Sequence, residues 1–369
     1  MKIGIDIRTA SHPVSGKAWY TFHVVRELLQ MDKENEYTLY TNTFSSELAD
    51  LAGKGKANIV LIHKHPLLWH WAVVKDFRRR GGEVFFAPTS FIIPALLPKN
   101  IASVITVHDL IAFTAPERHQ AKARIIEHLF LKRALKKTVG VLVPSEHTKK
   151  DLMRLFHYPE EKITVTPLAA KENQEARSKK QEAVDKYQLP EDFILTVGGL
   201  QPRKNIIAAV EATEKLRENF PQLKLVIVGG RGWKSKEAEK KIHDSGEAVI
   251  HIEHVLADEL AALYQQAKVF VYPSLYEGFG LPPLEAMAHG CPVVCSNRAS
   301  LPEVCGDAAL LVNPQDTEAL TDTIARVLKD ETLRTELRQK GLAQAKKFSW
   351  RKTAQKTLEA LSTFVYNNK

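Results

Sequence analysis

An α/β fold class of two parallel sheets, each covered by helices, is predicted by three observations. Short apolar strands alternate with amphipathic helical stretches. The alternation stops at a charged stretch near the middle of the chain and then restarts. Several strands run into glycine-containing loops that open a helix. Together these read as two Rossmann-like domains facing across a cleft, with ligands expected at the carboxyl ends of the strands.

The first half opens with Ile3, Ile5 and Ile7 alternating in a strand. A polar loop follows through Ser11, Pro13, Ser15 and Gly16, and then a helix with Phe22, Val25, Leu28 and Leu29 on one face. Further strands are expected at 37–40, 59–62, 84–86, 103–107 and 140–143. From Lys171 to Ala183, Lys, Glu, Gln, Arg and Ser dominate, the composition of a linker. The second half repeats the pattern. A strand at 193–197 ends in Gly198-Gly199 before a helix from Asn205 to Phe220, and a strand at 224–228 ends in Gly229-Gly230. Strands at 269–272 and 292–295 follow. The last helix is amphipathic through Leu358, Leu361, Phe364 and Val365. The expected domains are therefore 1–170 and 171–349, with the helix at 350–369 crossing back to the first.

Composition narrows the function. The 369 residues are 44% apolar and 26% charged, enough for two ordinary cores and no extended disorder. The apolar runs fall far short of the ~20 residues that span a bilayer. Asp6 interrupts the region where a signal peptide needs apolar residues, so a cytoplasmic location is expected. Cys291, Cys295 and Cys305 have no metal-like spacing and read as reduced packing residues. A net charge of +9 calls for an anionic partner: nucleic acid, anionic lipid or a phosphorylated small molecule. No zinc-finger or aromatic RNA-binding pattern is present, so nucleic acid is not expected.

The strongest local signal runs from Pro273 to Ala288. A strand ends at Pro273, a loop with Gly278 and Gly280 follows, and a helix opens near Pro282 or Pro283. Glycines let backbone N–H groups approach a ligand, and a helix start favours phosphate. Glu277 and Glu285 bracket the loop; beside an anion, carboxylates suit sugar or ribose hydroxyls, although Glu285 could equally serve the helix dipole. A second corner, Gly198-Gly199-Leu200-Gln201-Pro202-Arg203-Lys204-Asn205, also leads into a helix. Cations at a helix start oppose its dipole, so Arg203 and Lys204 imply a bound anion, and their removal is not expected to cost folding stability. Arg can fork two diphosphate oxygens and Lys adds a point charge.

The two glutamates eight positions apart around Gly-Phe-Gly, with Pro202-Arg203-Lys204-Asn205 upstream, resemble the retaining GT-B glycosyltransferases of family four (glycosyl transferases group 1). The resemblance extends to Thr106-Val107-His108-Asp109-Leu110, Val143-Pro144-Ser145-Glu146, Ser300-Leu301-Pro302-Glu303-Val304 and Phe348-Ser349-Trp350, and so spans nearly the whole chain. It implies a donor that is a nucleotide diphosphate sugar, with no separate cofactor. Glu285 would hold the ribose hydroxyls. Glu277 would hold the transferred sugar, with the backbone at Gly278, Phe279, Gly280 and Leu281 serving sugar and diphosphate. Arg203 and Lys204, beside Gly198 and Gly199, would neutralise the leaving diphosphate. His108 would contact the sugar near the reacting carbon, Gly16 would lie close to phosphate and acceptor, and Val255 and Leu256 would flank the nucleobase. Many relatives carry an Arg where Gly199 stands, which throws more of the diphosphate charge onto Arg203 and Lys204. The first loop, Ser15-Gly16-Lys17, also departs from the family by having a single glycine and an added cation.

No Asp-x-Asp metal motif occurs, so a metal-independent transfer is expected, with the cations stabilising the leaving group. By resemblance the anomeric configuration is retained, the donor leans towards GDP-mannose, and the acceptor is a glycan, a lipid-linked sugar or a small molecule. Several side chains keep two readings. His108 beside Asp109 could be a hydrogen-bonded structural pair, and His63/His65 a polar loop or a metal pair. Trp69 and Trp71 could line an acceptor groove or simply pack. The basic segment 117–137, with Ile125, Ile126, Leu129, Phe130 and Leu135 as its apolar face, reads first as a core helix with a solvated basic side; peripheral contact with the inner face of a membrane is the other reading. The rival functions are a sugar-nucleotide epimerase of the same two-domain shape and a basic nucleic-acid-binding protein.

Overall fold

A computed structural model describes residues 1–11, 15–52, 57–115, 121–170 and 180–367. The chain divides into two compact units, Met1–Leu168 with Ser349–Lys369, and Ala169–Phe348. The first holds strands β1 (Lys2–Asp6), β2 (Glu36–Thr41), β3 (Ala57–Leu61), β4 (Val84–Ala87), β5 (Ala102–Thr106), β6 (Gly140–Val143) and β7 (Ile163–Val165). The second holds β8 (Phe193–Val197), β9 (Lys224–Val228), β10 (Val249–Ile252), β11 (Val269–Tyr272), β12 (Val293–Ser296) and β13 (Ala309–Val312).

Both sheets are wholly parallel, with orders β3-β2-β1-β4-β5-β6-β7 and β10-β9-β8-β11-β12-β13. In each the order reverses beside the first strand, between β1 and β4 and between β8 and β11. That reversal opens a crevice at the carboxyl ends of the two strands, because the crossovers leave to opposite faces. The central strands β4, β5, β6, β11 and β12 are buried at every position, as parallel strands covered on both faces must be. The strands that sequence patterning did not single out, β7, β10 and β13, are all edge strands, short and only partly buried, where the apolar signal is weakest.

Three local expectations are corrected. Gly16 is not in the first loop but is the first residue of the helix Gly16–Met31; Ser15 caps that helix by accepting from the Ala18 N–H at 3.4 Å. The charged stretch reaching Ala183 is not all linker: Lys180–Tyr187 is a helix, tied to the helix Ala257–Gln266 by Tyr187 Oη donating to Glu259 at 2.7 Å. Residues 171–179 of that stretch lie outside the described residues. Among the described side chains of the helix Ala121–Leu135, Leu131, Ala134 and Leu135 lie in the core with Phe130 packed against it, whereas Ile125 and Leu129 face solvent; the Ile126 side chain lies outside those described. Residues 117–120 of that basic segment also lie outside the described residues.

The closing helix, Trp350–Tyr366, packs on Gly16–Met31 within the first unit. His23 is stacked between Trp19 and Trp350, with ring centroids 5.3 and 4.9 Å away. Phe364 lies so close over β6 that a Cβ at Gly140 would sit 2.1 Å from its ring, which explains the glycine there. Trp69 is fully buried beneath the Arg8 guanidinium at 3.9 Å, so it packs, while Trp71 is exposed. His63 and His65 are exposed in the loop after β3. The three cysteines are free and buried.

Candidate active site

The second unit's crevice is built by two loops. After β8 the chain passes Gly198 and Gly199, makes a single 3-10 turn at Pro202–Lys204, and enters the helix Ile206–Leu216. The neighbouring loop after β9 comes so close that a Cβ at Gly229 would lie 2.3 Å from Gly198 O. The turn is fastened to the loop after β11, because Arg203 O accepts from Leu275 N at 2.8 Å and from Ser274 Oγ at 3.0 Å.

This fastening sets Arg203 and Lys204 around one carboxylate. Glu277 Oε1 accepts from Arg203 Nη1 at 2.8 Å, Lys204 Nζ at 2.7 Å, Ser274 Oγ at 2.6 Å and Tyr272 Oη at 3.0 Å. Lys204 Nζ also donates to Tyr272 Oη. All four of these donors converge on the same oxygen, Oε1. Burial by itself would raise the pKa of Glu277, but the Arg203 and Lys204 charges outweigh it and bring it down to about 2. The carboxylate is therefore ionised and a poor base at neutral pH. The inference from the helix dipole is corrected accordingly: the anion that balances Arg203 and Lys204 is the protein's own Glu277, and Lys204 is itself buried. The sequence brings all three together only because β8 and β11 are neighbours.

Beyond Glu277 the backbone turns tightly. Ser300 Oγ lies 2.9 Å from Glu277 O and 2.7 Å from Phe279 O, and so braces the loop. Gly280 has φ +114°, and a Cβ there would meet Leu301 at 2.6 Å; only glycine fits both constraints. Gly278 is buried, and the Phe279 ring packs edge-on against Phe348 at 5.7 Å. The helix Leu281–Ala288 then carries Glu285 in its second turn, where Oε2 accepts from Tyr264 Oη at 3.2 Å. Val255 is half-buried and Leu256 exposed at the carboxyl end of β10, just before the helix Ala257–Gln266.

The other candidates belong to the first unit. His108 follows β5; its Nε2 donates to Pro88 O at 2.7 Å, and its ring meets Tyr20 edge-on at 4.8 Å. Burial, reinforced by the Lys17 charge, brings its pKa down to about 4, so the ring is neutral at neutral pH. Lys17 follows Gly16 in the first turn of its helix. Glu127 faces the charges of Lys17 and Asp109; burial raises its pKa to about 7. Sequence reasoning gave no role to Tyr272, Ser274, Tyr264, Ser300 or Glu127. For the first two a signal existed, since both stand within five residues of Glu277 at the end of an apolar strand. Among the described residues, no group of three or more His, Cys, Asp or Glu is arranged to hold a metal ion. No helix of the described residues is long and apolar enough to cross a membrane.

Two doubly wound units, one with a cationic cluster at its switch point, define the GT-B class of α/β enzymes, and solved structures agree. HepE of Anabaena, determined with UDP-glucose, superposes with a TM-score of 0.78 at 16% identity over 98% of this chain and 100% of that one. WaaG, a glycosyltransferase involved in lipopolysaccharide biosynthesis, gives 0.73 at 15% identity over 98% and 99%. Residues 14–170 match Glycosyltransferase Family 4, and residues 178–344 match Glycosyl transferases group 1. O-antigen chain mannosyltransferase B of Escherichia coli is 32% identical over 98% of this chain and 99% of its own length. The serotype-specific mannosyltransferase WbdA of Escherichia coli is 31% identical over 72% of this chain, which spans 34% of that longer protein. The chain belongs to the group 1, family 4 glycosyltransferases and is an enzyme of that kind.

Proposed function

We propose that this glycosyltransferase moves mannose from GDP-mannose to a growing glycan or a lipid-linked acceptor, with retention of configuration and without a metal ion. The observation that carries this reading is the convergence of Arg203 and Lys204 at the end of β8, where a diphosphate can share them with Glu277. The sugar and the O-antigen context are taken from the names of the relatives that match over the greatest length.

In this reading Glu285, steadied by Tyr264, takes the ribose hydroxyls, and exposed Leu256 with Val255 flanks the base. Glu277 accepts a sugar hydroxyl through Oε2 while the four donors hold Oε1. The backbone of 278–281 faces sugar and diphosphate. In the first unit, His108 contributes a neutral ring near the sugar, and Gly16 serves the acceptor side. Bond cleavage develops positive charge on the ring and negative charge on the departing phosphate, and preorganised cations lower that barrier. The four donors on Oε1 fix Glu277 as a hydrogen-bond acceptor for the sugar, and the reading assigns the attack to the acceptor on the face the diphosphate leaves. The test is transfer from GDP-, UDP-, ADP- and dTDP-sugars to mannose oligosaccharides, with the product's anomeric configuration read by NMR. Preference for a UDP-sugar, or an inverted product, would overturn the corresponding part.

A further inference from the structure

The neutral donors around Glu277 have a task that its cations cannot perform. In the proposed reading of the donor site, on which this inference rests, a diphosphate draws on Arg203 and Lys204, the two cations that compensate Glu277. As their charge turns to the phosphates, the carboxylate loses compensation while it stays buried. A buried carboxylate short of positive charge takes up a proton or swings away, because the interior solvates its charge poorly. Either response would spoil its contact with the sugar.

Tyr272 and Ser274 stand where they can prevent this. Tyr272 is the last residue of β11 and is buried, and its ring stacks on Phe270 with centroids 5.8 Å apart. Ser274, two residues on, is fully buried. Ser274 Oγ lies 2.6 Å and Tyr272 Oη 3.0 Å from Glu277 Oε1. An ammonium group only donates, so Tyr272 Oη accepts from Lys204 and commits its own proton to Glu277. Burial and the Glu277 charge push the Tyr272 hydroxyl well above the usual tyrosine range, so it remains a donor at every working pH.

The charged groups that face Glu277 are Arg203 and Lys204, from the turn after β8. Glu285, from the helix Leu281–Ala288, acts on Tyr272 in the same sense as Glu277 does. Tyr264, from the helix Ala257–Gln266, gives its hydroxyl proton to Glu285 at 3.2 Å. Neither Glu285 nor Tyr264 brings positive charge to Glu277. The two hydroxyls are uncharged and locked in place by packing, so their hold on Oε1 does not depend on what the cations bind.

We propose that Tyr272 and Ser274 are positioning residues, which keep Glu277 an anion aimed at the sugar while Arg203 and Lys204 serve the leaving diphosphate. In the free enzyme the two cations cover for a missing hydroxyl. With the donor bound they no longer do.

The test compares the parent with Tyr272→Phe, Ser274→Ala and the double variant; Tyr272→Phe keeps the buried ring and its packing. Calorimetric titration with GDP at about pH 6, in buffers that differ in ionisation enthalpy, counts the protons bound along with the nucleotide. Each variant should take up more than the parent, and the double variant should approach a full additional proton per GDP. In turnover, kcat of each single variant should fall about tenfold, the size expected for a lost hydrogen bond to a charged group. The acid limb of kcat, which reports the donor-bound enzyme, should move to higher pH. That of kcat/KM, which reports the free enzyme, should move less.

Equal proton uptake in parent and variants overturns the proposal. So does a fall in activity with both limbs unmoved, which would leave the hydroxyls a structural role only. If the parent binds UDP in place of GDP, the nucleotide named above is wrong, and the same titration with UDP decides between these outcomes. A parent that binds neither removes the diphosphate reading and this inference with it.

Discussion

Lys204 Nζ stands 2.7 Å from Glu277 Oε1, and both side chains are almost wholly withdrawn from water. This contact joins the turn after β8 to the loop after β11. It makes the cation proposed for the leaving group a structural partner of the carboxylate proposed for the sugar.

Removing Lys204 should therefore destabilise the fold. Lys204→Ala leaves a buried carboxylate with one cation fewer, and breaking a buried ion pair costs on the order of 3 kcal/mol. Arg203→Ala should cost less, because the Arg203 side chain is more exposed and its lost charge is partly replaced by water. Urea denaturation of the two variants compares them directly. Equal stability of Lys204→Ala and the parent would show that the pair carries no net stabilisation.

Glu277→Gln should separate binding from turnover. Without the internal anion, more of the Arg203 and Lys204 charge is available to a diphosphate, so GDP should bind at least as tightly as to the parent. Turnover should fall about 100-fold, since an interaction with the reacting sugar is lost. Calorimetric titration and initial rates read the two effects, and weaker GDP binding would contradict the shared-cation arrangement.

Glu285→Ala should act on nucleotide affinity. A hydrogen bond from a ribose hydroxyl to a charged acceptor is worth about 1.5–3 kcal/mol, so Kd for GDP should rise about tenfold or more. An unchanged Kd would remove Glu285 from the ribose.

Chelation should leave the rate unchanged, as transfer is assigned to side-chain cations. Loss of activity in EDTA that Mg²⁺ or Mn²⁺ restores would place a metal in the reaction.

The pH dependence of stability should show two windows. His108 is held neutral in the fold, its pKa lowered from 6.5 to about 4 by burial and Lys17, while the unfolded chain takes up the proton near 6.5. The His108 contribution to stability should thus fall as pH drops from 6.5 towards 4, Glu127, raised from 4.5 to about 7, contributes in the opposite sense between 7 and 4.5, and His108→Gln should remove the first contribution. Glu277, lowered from 4.5 to about 2, stabilises fully above 4.5 and loses its contribution between 4.5 and 2. Denaturation midpoints measured across this range test both, and an unaltered slope between 6.5 and 4 in His108→Gln would show that another group titrates there.

The sequence by itself determined the fold class, most central strands and the two loops that matter. Parallel strands buried on both faces must be continuous apolar runs, a loop that brings backbone against backbone needs glycine, as at Gly229, and a loop with positive φ favours it, as at Gly280. Edge strands β7, β10 and β13, short and only partly buried, escaped, whereas the edge strand β3 was legible from its apolar run at 59–62. Tertiary structure alone decided how charge is balanced. Local sequence places Arg203 and Lys204 at a helix start with no anion nearby, since Glu277 lies more than seventy positions away. Only the adjacency of β8 and β11 closes that distance and turns an apparent vacancy for a ligand into an ion pair that a ligand must share. The outward faces of Trp71 and Leu129 were likewise undecided until packing showed which side of each helix the core had taken, because periodicity reports that a helix has an apolar side but not what covers it.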